Sequence, residues 1–363
     1  MSSVKLPISN PPLKGFLRWA YTLAITSAHE ETKPWYYTNF IQMGCTKRFL
    51  EERIECFYDF FRGIPNELNF NNPYLLTSAL NYDVLSGMDG RAVTGFVRGQ
   101  LEKGYYPIVF LDESRLPTAA AYQGDPFPHH LMMHGYDDGE EVVYATMFDR
   151  QQIFREVAIS YGDLRQAVDS MLRLIAEGKA SDHGTYLYRY HAEQLYRYDP
   201  VCAADAVRDY LGSVTHVNRM NYNTDDLVYG LETYDYLQRY YQAEEEGDPA
   251  LLSRRSTRHL HLLWEHKKTM SERLRYWESM GWIAPDPLLL EGFDLLTRRS
   301  QQLRDRYIRY GITQNDAALY GVLKSRLGEF KAEEERLFAR LLELLEAGEP
   351  IPGISAGGIS VQS

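Results

Sequence analysis

Pro128-His129-His130-Leu131-Met132-Met133-His134-Gly135-Tyr136-Asp137-Asp138, and then Val142-Val143-Tyr144-Ala145-Thr146-Met147-Phe148 and Asp149, decide how the first half of this chain is read. Two β-favouring runs joined by Asp137-Asp138-Gly139 make an antiparallel ribbon with a tight turn. Upstream, Tyr105 to Leu111 is a short apolar run bounded by Gly104 and charges, which reads as a buried strand whose start Pro107 places at an edge. Before it, Val93, Phe96, Val97 and Leu101 lie at helical spacing over roughly 87–102. Further back, Ile54 to Phe61 reads as a strand ahead of the breaker Gly63-Ile64-Pro65. The first ten residues read as an extended arm, stopped by Pro11-Pro12, before a short amphipathic helix carrying Leu13, Phe16, Leu17 and Tyr21. Downstream, an extended piece near 152–160 leads into a helix from Tyr161, where Gly162-Asp163 is the expected cap.

Beyond about residue 163 the texture is helical, with segments expected near 163–177, 203–213, 225–243, 256–280, 286–310 and 315–347. In the last, Leu323, Leu327, Phe330, Leu337, Leu341 and Leu344 form one stripe, and Glu333-Glu334-Glu335 are expected to face outward. That stripe reads as a bundle helix, with a coiled coil pairing two copies into a homodimer as the alternative. The Gly- and Ser-rich tail after Gly348 reads as disordered. The expected organisation is α+β: a domain on an antiparallel sheet over 1–170, a mostly helical domain over 171–347, and the tail 348–363.

Composition narrows the function classes. At 363 residues, with 44% hydrophobic and 25% charged residues, the chain has material for two cores. A net charge of −11 repels phosphate backbones and anionic membranes, so neither nucleic acid nor a bilayer is expected as partner. The first residues lack a charged stretch followed by an apolar one, and no window of about 20 residues is free of charge. Cys45, Cys56 and Cys202 follow no paired spacing, which argues against disulfides and zinc and for the cytoplasm. No GxGxxG, GxxxxGK[ST] or GxSxG pattern occurs, so no cofactor is expected. His259, His261, Glu265 and His266 could hold a metal at helical spacing, but a solvated helix face is the preferred reading. The 28 tyrosines include Tyr186, Tyr188, Tyr190, Tyr196 and Tyr198, which suit a ligand cleft or packing between domains.

A histidine that starts one strand of a hairpin and an acid that ends the next can meet across the ribbon, an arrangement that orients an imidazole. The runs HHLMMHGYDD (129–138) and VVYATMFD (142–149) resemble the His-hairpin-Asp segment of the butirosin biosynthesis protein H family, relatives of the peptidases that trim bacteriocin leaders. GRAVTGFVRGQLEKGYYPIVFLDE (90–113) is similar to the helix and strand before that histidine. KPWYYTNFIQMGC (33–45) resembles the start of relatives encoded near nonribosomal peptide clusters. The resemblance covers about 1–170, with a looser likeness through DDLVYGLETYDYLQRYY (225–241).

The resemblance implies a papain-like fold. It also implies acyl transfer from an acyl or peptidyl carrier protein, bearing a phosphopantetheine thioester, onto an amine in specialised-metabolite biosynthesis. On this reading His129 is the base, Asp149 its orienting acid, Cys45 the nucleophile and Gln42 the oxyanion donor, with His130 and His134 as substitutes for the base and Cys56 and Cys202 as less favoured nucleophiles. Asn39 could fill an oxyanion or pseudo-nucleophile position if catalysis has been lost. The residues leave open whether the chain is an acyltransferase or thioester hydrolase, or an inactive papain-like protein that binds a carrier protein or synthetase.

Overall fold

The computed structural model describes residues 2–61, 72–81, 87–216, 226–249 and 256–347. The breaker at 63–65 and the tail after Gly348 lie outside them. The chain is α+β with antiparallel sheets. Its contacts divide it into a first unit of Met1–Lys33 and Asn66–Tyr196 and a second of Pro34–Pro65 and Arg197–Ser363. The chain therefore changes unit three times, after residues 33, 65 and 196, rather than once at 170, and residues 34–65 join the helical unit.

The first unit carries a seven-stranded sheet in the order β4 (Leu75–Leu80), β9 (Thr185–Tyr190), β5 (Tyr105–Asp112), β6 (Pro128–Asp137), β7 (Val142–Phe148) and β8 (Phe154–Ser160), with β1 (Ser3–Lys5) paired to β6. The expected hairpin is present. The Asp137 carboxylate accepts from the amides of Gly139 at 2.7 Å and Glu140 at 3.1 Å, closing the turn. Gly135 has to be glycine, because a Cβ there would sit 2.6 Å from the Val4 carbonyl oxygen of β1.

Strand β9 corrects the expectation that the chain is helical after 163. Its alternating tyrosines lie in the sheet's interior, and Tyr188 is buried. β5 lies between β9 and β6, while its start, Tyr105–Pro107, pairs on one side only, as Pro107 led one to expect. Pro107 is tolerated because it pairs only with Leu187 of β9, and pairing with β6 begins one residue later at Ile108.

Alternation sends the two faces of this sheet to different helices. Val109, Leu111, Leu131 and Met133 pack under α3 (Gly90–Glu102) and α4 (Tyr161–Ala176). Tyr106, Ile108, Met132 and Tyr188 pack under α1 (Leu17–Thr26). The cap of α4 is Ser160, whose hydroxyl accepts from the Asp163 amide, rather than Gly162-Asp163.

The second unit contains a three-stranded sheet in the order β10 (Leu227–Tyr229), β2 (Met43–Thr46) and β3 (Tyr58–Phe60). Among the described residues its helices are α2 (Lys33–Thr38), α5 (Pro200–Gly212), α6 (Thr233–Glu245), α7 (Arg258–Ser279), α8 (Pro287–Thr313) and α9 (Leu319–Ala347). The helix expected over 225–243 begins as β10 and turns helical only at Thr233, and the strand expected over 54–61 is confined to Tyr58–Phe60.

The stripe of α9 is buried inside this unit, as in a bundle, except that Leu345 rather than Leu344 is its last buried member. Glu334 does not face outward. It continues the spacing 323, 327, 330, 334, 337, 341, so it falls on the buried stripe, where it meets Lys267 at 2.6 Å. Among the described residues, no helix is long and apolar enough to cross a membrane.

Candidate functional site

His129 is the second residue of β6, and pairing with β5 sets it opposite Leu111. Two residues past Leu111 the chain enters a single 3₁₀ turn, Glu113–Arg115. The Glu113 carboxylate lies 2.8 Å from His129 Nδ1. Its side chain is 8% exposed, whereas the imidazole is 37% exposed. Phe127 lies edge-on to the imidazole at 5.4 Å and is itself exposed.

Asp112 fixes this geometry. Fully buried, it accepts from the amides of Ser114 (3.0 Å) and Phe127 (2.9 Å) and from the Ser170 hydroxyl of α4 (2.7 Å). Burial pushes its pKa up, but the hydrogen bonds from Ser170, Phe127 and Ser114 outweigh that and hold it below the ordinary value. The end of β5, the residue before β6 and the middle of α4 are thereby knotted together, and Glu113 follows directly from the knot.

Such a pair can do defined chemistry. When Nδ1–H donates to Glu113, Nε2 carries the lone pair, so the imidazole can accept a proton or hydrogen-bond a ligand. The neighbouring histidines are built differently. His130 is 9% exposed with Nε2 3.0 Å from the Gly184 carbonyl, and His134 is fully buried with Nε2 3.4 Å from Glu156. Burial lowers both pKa values to about 4. They are structural neutral imidazoles rather than substitutes for the base.

Asp149 does not orient His129. Strand register continued from Met132 opposite Thr146 would bring residue 149 across from 129, but the pairing of β6 with β7 runs only from Met132 to Asp137. The Asp149 carboxylate instead accepts from the amides of Gln151 (2.8 Å) and Ile153 (3.0 Å) and pairs with Arg155. The Ile153 amide is the largest cause of its lowered pKa. Asp149 is thus a turn residue, and Glu113 takes the place expected for it.

The expected nucleophile and its helpers belong to the second unit. Cys45 sits in the central strand of the three-stranded sheet, fully buried, with its sulfur 3.8 Å from Cys56 Sγ and 3.7 Å from the Thr46 carbonyl. The Cys45 hydrogen bond, followed by burial, pushes the Cys56 thiol well above its ordinary pKa. Cys202 is exposed, but its thiol donates to Asp199, and burial and that carboxylate raise its pKa too. Gln42 spends its amide on the Val214 carbonyl at 2.8 Å, and Asn39 spends its own on Trp35 at 2.7 Å.

The segment 37–42 is pinned to α7. Arg273 donates to the carbonyls of Tyr37, Asn39 and Phe40, and His266 Nε2 meets the Ile41 carbonyl at 2.9 Å. His259 Nε2 lies 2.7 Å from the Cys56 carbonyl. These α7 histidines are therefore internal clamps, and among the described residues no group of three or more His, Cys, Asp or Glu side chains could hold a metal.

The sequence singled out His129 and not its partner Glu113. The available signal was an acidic pair, Asp112-Glu113, ending the strand that precedes the histidine strand. No protein-family model matches the chain, and no curated protein sequence matches it.

Proposed function

We propose that the first unit is a papain-like domain that keeps an oriented histidine, has no cysteine of its own, and works as a non-catalytic binder of a carrier protein or synthetase. One observation carries this reading. All three cysteines belong to the second unit, and Cys45, the nucleophile that the resemblance implied, is fully buried against Cys56. A thiol in that strand is closed off from solvent, and its sulfur contacts only Cys56 Sγ and the Thr46 carbonyl among the hydrogen-bonding groups described. His129, held by Glu113 and partly exposed beside Phe127, supports ligand recognition by hydrogen bonding and ring contact.

The His129–Glu113 distance of 2.8 Å also favours a second reading. In it His129 Nε2 removes a proton from an amine or water that attacks a bound thioester directly, with no covalent enzyme intermediate.

The experiment is thiol release from an acyl-phosphopantetheinyl carrier protein, followed together with binding, for the full chain and for His129→Ala. The binder reading predicts saturable binding, weakened about tenfold by His129→Ala, as expected for a lost hydrogen bond to a charge-oriented group, with thiol release at the buffer rate. Thiol release by the wild type that His129→Ala abolishes would overturn it in favour of direct transfer.

A further inference from the structure

Beside the knot at Asp112, the exposed face of α4 and the 3₁₀ turn enclose a surface groove of about 620 Å³ lined by Arg115, Gln166, Asp169 and Arg173. Residues 166, 169, 170 and 173 recur at helical spacing, so they share one face of α4, and Arg115 reaches that face from the turn. We propose that this groove is a binding site for a phosphate ester.

Both guanidinium groups are anchored through Nε. Arg115 Nε donates to the Ser170 hydroxyl at 3.4 Å, and Arg173 Nε donates to the Asp169 carbonyl at 3.2 Å. The paired Nη groups of each arginine are left to serve a ligand, and guanidinium forks match the oxygens of tetrahedral anions. Two forks and the Gln166 amide offer more donors than a carboxylate can accept, which selects a phosphoryl group.

Two carboxylates lie near the arginines. Asp112, 3.6 Å from Arg115 Nε, is fully buried and engaged by three hydrogen bonds, and one Asp169 oxygen accepts the Gly90 amide at 2.6 Å. Asp169 remains the one opposing charge in the lining, which gives the proposal a sign as well as a site. The groove stands on its own geometry, whichever way the His129 pair acts.

The test is a calorimetric titration of the full chain with inorganic phosphate and with phosphopantetheine, with acetate at matched ionic strength as control. Saturable phosphate binding is expected, weakened about tenfold by R115Q or by R173Q and tightened by D169N, with acetate inert. These side chains are exposed or half-exposed, so circular dichroism should show the fold intact in each variant. Tighter binding of phosphopantetheine than of phosphate would identify a carrier arm as the source, and equal binding would identify a small phosphate ester. Absence of saturable phosphate binding, or an affinity unchanged in the R115Q/R173Q double variant, would overturn the proposal.

Discussion

At the scale of single residues, four histidines are buried as neutral rings. His130, His134, His259 and His266 all have their pKa lowered to about 4, chiefly by burial. The unfolded chain binds protons on these residues below about pH 6.5, whereas the folded chain resists until about pH 4, so each contributes stability at neutral pH that is lost across that window as pH falls. His134 is a direct case: it is fully buried, and burial outweighs the Glu156 carboxylate 3.4 Å from Nε2. Urea unfolding at pH 7 and pH 4.5 should show His134→Leu losing about 2 kcal/mol less stability on acidification than the wild type. An equal loss in both would contradict the assignment. Asp112 tests the frame of the candidate site: Asp112→Ala removes three hydrogen bonds to a buried carboxylate and should lower unfolding stability by about 2–3 kcal/mol in a denaturant titration. His129 stood out in the sequence because it lies at the start of a strand that runs into a recognisable hairpin. Glu113 did not, since the pairing that brings it to His129 crosses between β5 and β6, and that register depends on contacts outside either strand.

At the scale of elements, α7 and α9 are joined by an ion pair in the core of the second unit. Lys267 and Glu334 are fully buried 2.6 Å apart, His266 Nδ1 lies 3.6 Å from the same carboxylate, and Tyr210 and Tyr234 donate to its other oxygen at 2.6 and 2.8 Å. Burial would raise the Glu334 pKa, yet Lys267 and then His266 bring it down to about 2, so the carboxylate is ionised. Lys267→Met alone strands that charge and should cost about 3–5 kcal/mol by chemical denaturation, while adding Glu334→Gln should recover part of the loss. The α9 stripe was readable from its period, but Glu334 was misread because a run of three glutamates looks solvated whatever phase it occupies. The hairpin of β6 and β7 was readable because turn chemistry and alternation agree. Strand β9, Thr185-Tyr186-Leu187-Tyr188-Arg189-Tyr190, carries a period of two in its tyrosines, but its partners lie in β4 and β5, so nothing local separates it from the helical sequence around it.

At the scale of the whole molecule, the order of the chain and the order of its contacts differ. Residues 34–65 leave the first unit to supply β2 and β3 of the second, and the first unit runs on past 170 to residue 196, so that β9 enters the interior of its sheet. A fragment ending at residue 170 lacks β9, so it uncovers the facing edges of β4 and β5. Such a fragment should aggregate or give collapsed amide spectra, whereas the full chain should give dispersed ones; a well-dispersed spectrum for 1–170 would contradict this division. The same crossing assigns the expected nucleophile and the expected base to different units, which is why the linear order of Cys45, His129 and Asp149 suggested a site that their local surroundings do not support. The direct measurement is the rate at which iodoacetamide labels each cysteine of the native full chain at neutral pH, read by peptide mass spectrometry. The account predicts that Cys202 is labelled first and that Cys45 and Cys56 react only on unfolding, with His129→Ala changing none of these rates. Rapid, selective labelling of Cys45 in the native chain, suppressed by His129→Ala, would show a working thiol–imidazole pair and contradict it.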